Sequence, residues 1–237
     1  MLFRSTGNPR FDEVDVEGLR ATAAETRARY GMAERTLLYL SNPVDDQGFM
    51  TVDAKMRLFD DFLARVAPVL ADADAHIAVK LHAREDAAVF KSACARSPAP
   101  SRVKVIEDAP LHPLLAAARA AVVLSSTVGL EALLFGLPLG VIALPGYGPV
   151  HDYVRSGAAA RIDIDEHLPR RVRTLLTHEH EGDSDVRRAY VDRHLAHRGD
   201  AARRIVNEII APRIVLRARG SGTTPREDPL PRSSLRR

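Results

Sequence analysis

The chain has 237 residues, 46% hydrophobic and 5% aromatic, with no tryptophan and one cysteine, Cys94. This length fits one large domain with extensions, and a lone cysteine excludes an internal disulfide framework or a cysteine-only zinc site and suits a reducing compartment. The net charge of +3 is unevenly placed: residues 211–237 hold seven arginines against Glu227 and Asp228, a local +5 that leaves residues 1–210 at −2, so the body of the chain is not a nucleic-acid binder by charge.

Residues 1–34 read as an entry segment with a helix. From residue 35, short apolar runs alternate with amphipathic stretches. Strands are expected at 36–40 (TLLYL), 77–81 (IAVKL), 103–106 (VKVI), 120–124 (AAVVL) and 139–144 (LGVIAL), with a sixth at 159–162. The longest helix is expected at 52–70, where Val52, Met56, Phe59, Phe62, Leu63, Val66 and Leu70 recur at helical spacing. Further helices are expected at 86–96, 111–119 and 130–135, a short one at 150–156, and then 166–177, 184–197 and 199–210. This alternation predicts an α/β fold with a doubly wound, mostly parallel Rossmann-like sheet of five to six strands. The sheet and its helices occupy 35–210 and leave no room for a second α/β domain. Residues 211–237, rich in Arg, Pro, Gly, Ser and Thr, read as a disordered tail. No run of about twenty apolar residues occurs, and the start MLFRSTGNPR lacks the apolar core of a signal peptide, so a cytoplasmic protein is expected.

In an open parallel sheet, ligands bind beyond the carboxyl ends of the strands. The polar groups of this sequence fall there. SNPVDDQG (41–48) follows the first strand, and KLHARED places Lys80, His82 and Arg84 at the mouth of the second. Glu107 and Asp108 follow the third, Ser125, Ser126 and Thr127 the fourth, and PGYGPVHDY (145–153) the fifth. The stretch LSSTVGLEALLFGLP (124–138) has two readings. Ser125 or Ser126 caps a helix while Gly129 lets it pack closely, or the hydroxyls and first-turn N–H groups hold an anion. Glu131, on an apolar helix, either pairs with an arginine or caps a neighbouring loop, or it meets a ligand. His178 and His180 lack the spacing of a zinc-binding helix, so no metal site is expected. Cys94 reads as a small buried apolar residue.

The order TGNPRFD (6–12), LLYLSNP, VKLHARED, SSTVGLEALLFGLP and DAARRIVNEI resembles the C-terminal, donor-binding domain of the GT-B glycosyltransferases. More narrowly it is similar to the bacterial capsule and surface-polysaccharide branch, which includes polysialyltransferase-like enzymes and CDP-glycerol glycerophosphotransferases. The UDP-GlcNAc 2-epimerases share the architecture. The resemblance covers most of residues 5–210. It implies metal-independent binding of a CMP-, UDP- or GDP-linked sugar as substrate, with no resident cofactor. Lys80, His82, Ser125 and Ser126 would contact the nucleotide phosphates, Arg84, Thr127 and Gly129 would stand beside them, and Glu131 would bind the ribose. His82 is the expected catalytic acid toward the leaving phosphate.

Two departures matter. Ala83 stands where the family has a proline, and the serine loop lacks the extra glycines and paired acids of the epimerase form. The GNP-D segment by which the family enters its C-terminal domain already occurs at residues 7–12. The chain therefore resembles half an enzyme, and the acceptor domain that usually carries the general base is expected on another chain or missing. The expected function is donor binding for transfer to a surface polysaccharide or glycolipid, with peripheral contact at the inner face of the membrane and no nucleic-acid partner. The alternatives are a non-catalytic nucleotide-binding half-enzyme subunit and an enzyme like UDP-GlcNAc 2-epimerase or CDP-glycerol phosphotransferase.

Overall fold

The wholly apolar stretch of TLLYL beyond Thr36 has no polar face to offer solvent, and it forms β1, Thr36–Leu40, buried along its length. Such a strand needs cover on both faces, which is the condition of a parallel sheet flanked by helices. In the computed structural model of the chain, which describes residues 7–124, 126–146, 148, 151–177 and 183–210, that is what surrounds it. The other strands are β2 (His76–Lys80), β3 (Val103–Ile106), β4 (Ala120–Val123), β5 (Leu139–Ile142) and β6 (Ala160–Ile162). All pair in parallel, in the order β3-β2-β1-β4-β5-β6. The sheet has six strands, the upper end of the expected range.

The helices of the main unit are α1 (Val16–Ala21), α2 (Ala23–Tyr30), α3 (Val52–Asp72), α4 (Ala87–Arg96), α5 (Leu111–Ala117), α6 (Val128–Leu134), α7 (Leu168–Thr177) and α8 (Asp183–His194). On one face α3 packs beside α4 and α7; on the other, α5 packs with α1, α2 and α6. The first face holds the largest core. Tyr39 meets Phe59 and Phe62 with ring centroids 5.0 and 5.3 Å apart, and Phe59 meets Phe90 at 5.1 Å. Each such side chain contributes about 1.5–3 kcal/mol by leaving water. Helical periodicity placed Val52 on this face, but Val52 is exposed and Lys55 is buried instead. Val52 is the first residue of α3, next to its Thr51 cap.

Chain contacts divide the molecule into two units, Val14–His194 and a smaller one made of Met1–Glu13 with Leu195–Arg237. Among the described residues of the smaller unit, Gly7 and Asp12 meet residues 196–202. Asp12 accepts hydrogen bonds from the N–H groups of Gly199, Ala201 and Ala202 at 2.9, 3.2 and 2.8 Å, and so caps α9 (Ala201–Ile205). Gly7, at φ +85°, passes so close to Ala196 and Ala201 that a Cβ would strike both. The stretches GNPRFD and DAARR, far apart in sequence, are therefore two sides of one contact. A π-helical turn, Val206–Ile210, follows α9, so the single helix expected at 199–210 is divided.

The short helix expected at 150–156 is not formed: residues 153–157 make turns, with Tyr153 and Ser156 tied to each other and Gly157 at φ +77°. Ser125, His178, His180 and residues 211–237 lie outside the described residues. Among those described, no helix is long and apolar enough to cross a membrane.

Candidate functional site

Strand order reverses between β1 and β4, so the chain leaves these neighbours in opposite directions and a crevice opens beyond their carboxyl ends. The mouths of β2, β1 and β4 lie within about 10 Å of one another, two strand spacings. The residues expected to act are on this rim.

Lys80 ends β2 and is half-buried, its ammonium donating to the Leu81 carbonyl at 3.3 Å. His82 is exposed just beyond. Its position is fixed through its backbone, whose N–H donates to Glu85 Oε2 at 2.8 Å. The ring Nδ1 accepts the Arg84 N–H at 3.2 Å, so in the neutral imidazole the proton resides on Nε2. Arg84 is exposed and pairs with Asp46 at 3.3 Å.

Beneath His82 lies a polar network that sequence reasoning missed. Glu85 Oε1 accepts from Ser41 Oγ at 2.7 Å and from Lys55 Nζ at 3.1 Å, and Lys55 also pairs with Asp45. The side chains of Glu85 and Lys55 are 2% and 5% exposed. Burial pushes the Asp45 carboxyl up, but the Lys55 ammonium and local backbone N–H groups outweigh it and hold the pKa below the ordinary value. The signal was a lysine on the apolar face of α3: residue 55 falls one helical turn before Phe59.

After β4, Ser126 is half-buried and Thr127 exposed. Ser126 Oγ accepts the Val128 N–H at 3.2 Å, which makes it the side chain that caps α6. The loop is pinned from above by Tyr153, whose hydroxyl donates to the Ser126 carbonyl at 3.2 Å. Gly129 is buried under that ring: a Cβ there would stand 2.9 Å from the Tyr153 ring carbons. Gly129 thus serves close approach within the fold. Burial raises the Tyr153 hydroxyl to about 12, keeping it protonated as a donor. Tyr153 is followed outward by Tyr190 and Asp152, which share a hydrogen bond, with Arg193 and Arg155 beside Asp152.

Glu131, one turn into α6, is buried, and its Oε2 lies 2.8 Å from His112 Nε2 in the first turn of α5. The sequence signal, a histidine two residues past Pro110 at the start of a helix, is weak, and His112 was not singled out. Glu107, at the mouth of β3, pairs with Lys91.

Two clefts adjoin β5 and β6. One of about 380 Å³ lies at their carboxyl ends, between Leu58, Leu144, Pro145 and Ile164, on the same rim as the groups above. A larger one of about 540 Å³ lies at their amino ends, lined by Leu139, Ala160, Arg161, Arg170, Arg171 and Arg187. The larger cleft is thus away from every residue expected to act.

An open six-stranded parallel sheet with this order and flanking helices is a Rossmann-like domain of the GT-B type. Residues 15–149, more than half of the chain, match the family of capsule polysaccharide biosynthesis proteins, and the chain belongs to that family. Comparison with curated proteins gives no match. Among solved structures, the fold is similar to the wall teichoic acid polymerase TagF, with a TM-score of 0.56 at 15% identity over 91% of this chain and 53% of that one. It is also similar to a UDP-N-acetylglucosamine 2-epimerase (0.55, 18% identity, 89% of this chain and 51% of that one). A third is the UDP-GlcNAc 2-epimerase of Methanocaldococcus jannaschii, solved with UDP-GlcNAc and UDP (0.53, 18%, 78% and 53%). At these identities the likeness is one of fold. The chain spans about half the length of these structures.

Proposed function

We propose that this chain is the donor half of a glycosyltransferase of capsule or glycolipid synthesis, binding a CMP-, UDP- or GDP-linked sugar at the carboxyl rim. The observation that carries the reading is that β2 and β4, the strands that end in the His82 and Ser126–Thr127 loops, flank β1 beside the strand-order reversal in a member of the capsule family. The epimerase structure holding UDP supports the nucleotide part by likeness of fold. In transfer, the bond between the anomeric carbon and the phosphate oxygen breaks, and the electron pair leaves with the phosphate. Hydroxyls and cations aimed at that oxygen lower the barrier. Ser126, Thr127 and Lys80 would supply them, with Ser125 beside them in sequence and Arg84 at the mouth of β2. His82, with its proton on Nε2, would donate to the leaving phosphate. No residue here is assigned as the base that deprotonates the acceptor hydroxyl; an acceptor domain would bring it. The nucleotide-binding domain would span 35–210, entered through 1–34.

Calorimetric titration of the chain with CMP, CDP, UDP and GDP tests this. One nucleotide should bind saturably, about tenfold or more weaker in Ser126→Ala/Thr127→Ala. Absence of binding to all four, from a folded protein, overturns it. A second reading is a subunit that binds the donor but turns it over only beside an acceptor domain, since no residue of this chain is assigned as the base. Release of free sugar from the donor by the isolated chain would exclude that reading.

A further inference from the structure

We infer that His112, and not Glu131, is the group that meets the sugar hydroxyls of the bound nucleotide, and that Glu131 positions it. The inference rests on the nucleotide reading above. The carboxylate of Glu131 is 2% exposed, and one of its oxygens is occupied by His112 Nε2. To reach a ligand hydroxyl it would have to give up the imidazole and enter a space that is closed. The His112 side chain is 29% exposed. It lies in the first turn of α5, which the loop after β3 brings to the same rim as Ser126, and α5 packs beside α6. Phe135 flanks the ring, 5.6 Å between centroids, and limits its rotation.

The chemistry of the pair selects the ligand group. A carboxylate beside Nε2 fixes the proton of the neutral ring there, which leaves Nδ1 as an acceptor. Among the described residues no other hydrogen bond to this ring is formed. As an acceptor on a partly exposed ring, Nδ1 of the neutral imidazole recognises a hydroxyl donor and gains nothing from a phosphate oxygen. The 2′- or 3′-hydroxyl of a ribose fits, and its absence leaves the imidazole nitrogen unpaired. Discrimination between ribose and deoxyribose is therefore the property that His112 confers.

The test is a titration of the whole chain with UDP, CMP and GDP and with their 2′-deoxy and 3′-deoxy counterparts. The wild type should favour the ribonucleotide over at least one deoxy form by about tenfold, one hydrogen bond's worth. His112→Ala should lower ribonucleotide affinity to that of the deoxy form and leave the deoxy form unaffected. His112→Asn, which keeps an acceptor, should restore part of the preference. An unchanged ribose preference in His112→Ala overturns the inference, as does a preference lost in Glu131→Gln but kept in His112→Ala. If Glu131→Gln does not fold, the His112 variants decide alone. If no nucleotide binds the wild type, the nucleotide reading itself fails, and this inference with it.

Discussion

Lys55 donates to Glu85 at 3.1 Å, and neither side chain has more than 5% of its surface in water. The pair ties α3 to the loop beyond β2, and the other oxygen of Glu85 holds the backbone of His82. A buried lysine with two carboxylates is stable only while all three stay together.

Lys55→Met should therefore destabilise the fold by about 3–5 kcal/mol, because Glu85 and Asp45 are left without their counter-charge. Chemical denaturation measures it. A cost under about 1 kcal/mol would mean that the carboxylates find other partners.

Gly129→Ala should displace Tyr153 from its seat, since the added Cβ would stand 2.9 Å from the ring. Overpacking of this kind costs about 1–3 kcal/mol. Tyr153→Phe keeps the ring and removes only the hydroxyl that holds Ser126, and should cost about 0.5–1.5 kcal/mol. Both variants should weaken nucleotide binding through the released loop. If Tyr153→Phe binds nucleotide as the wild type does, the hydroxyl does not position Ser126.

The centre of the sheet was legible in the sequence because β1 and β4, buried on both faces, are continuous apolar runs. TLLYL and VKVI become β1 and β3 at the expected boundaries, and the other strands shift by one or two residues. The rim was legible because polar groups follow each strand. What could not be read was pairing between elements. Lys55 and Glu85 are thirty residues apart, and His112 and Glu131 nineteen; no local pattern joins them. Likewise, where a helix was expected at 150–156, residues 153–157 make turns and the Tyr153 ring packs on Gly129, a contact between distant residues.

Asp12 should make its contact with the start of α9 sensitive to acid. The Ala202 N–H, with those of Ala201 and Gly199, holds its carboxyl below the ordinary value. A carboxylate with a depressed folded pKa adds stability above the unfolded value, near 4, and loses it as pH falls through the folded one. Amide exchange at Gly199, Ala201 and Ala202 should then show less protection below pH 4, and in Asp12→Ala less protection at neutral pH. Unchanged protection in the variant would mean that α9 does not need this cap.

Cys94 is buried, and burial raises its thiol to about 11. Little thiolate exists at neutral pH, so a thiol reagent should modify the native chain only as fast as it unfolds. Rapid labelling of the native protein would contradict the packing of α4 against the sheet.

The central claim is that the carboxyl rim, and not the larger arginine-lined cleft at the amino ends of β5 and β6, holds the nucleotide. Backbone amide shifts of the isotope-labelled chain, followed during titration with the nucleotide that binds tightest, test it directly. The expected result is perturbation at Ser41, His82, Arg84, His112, Ser126 and Thr127, with Arg170 and Arg171 unmoved. Perturbation centred on Arg161, Arg170 and Arg171, with the rim unmoved, would contradict it.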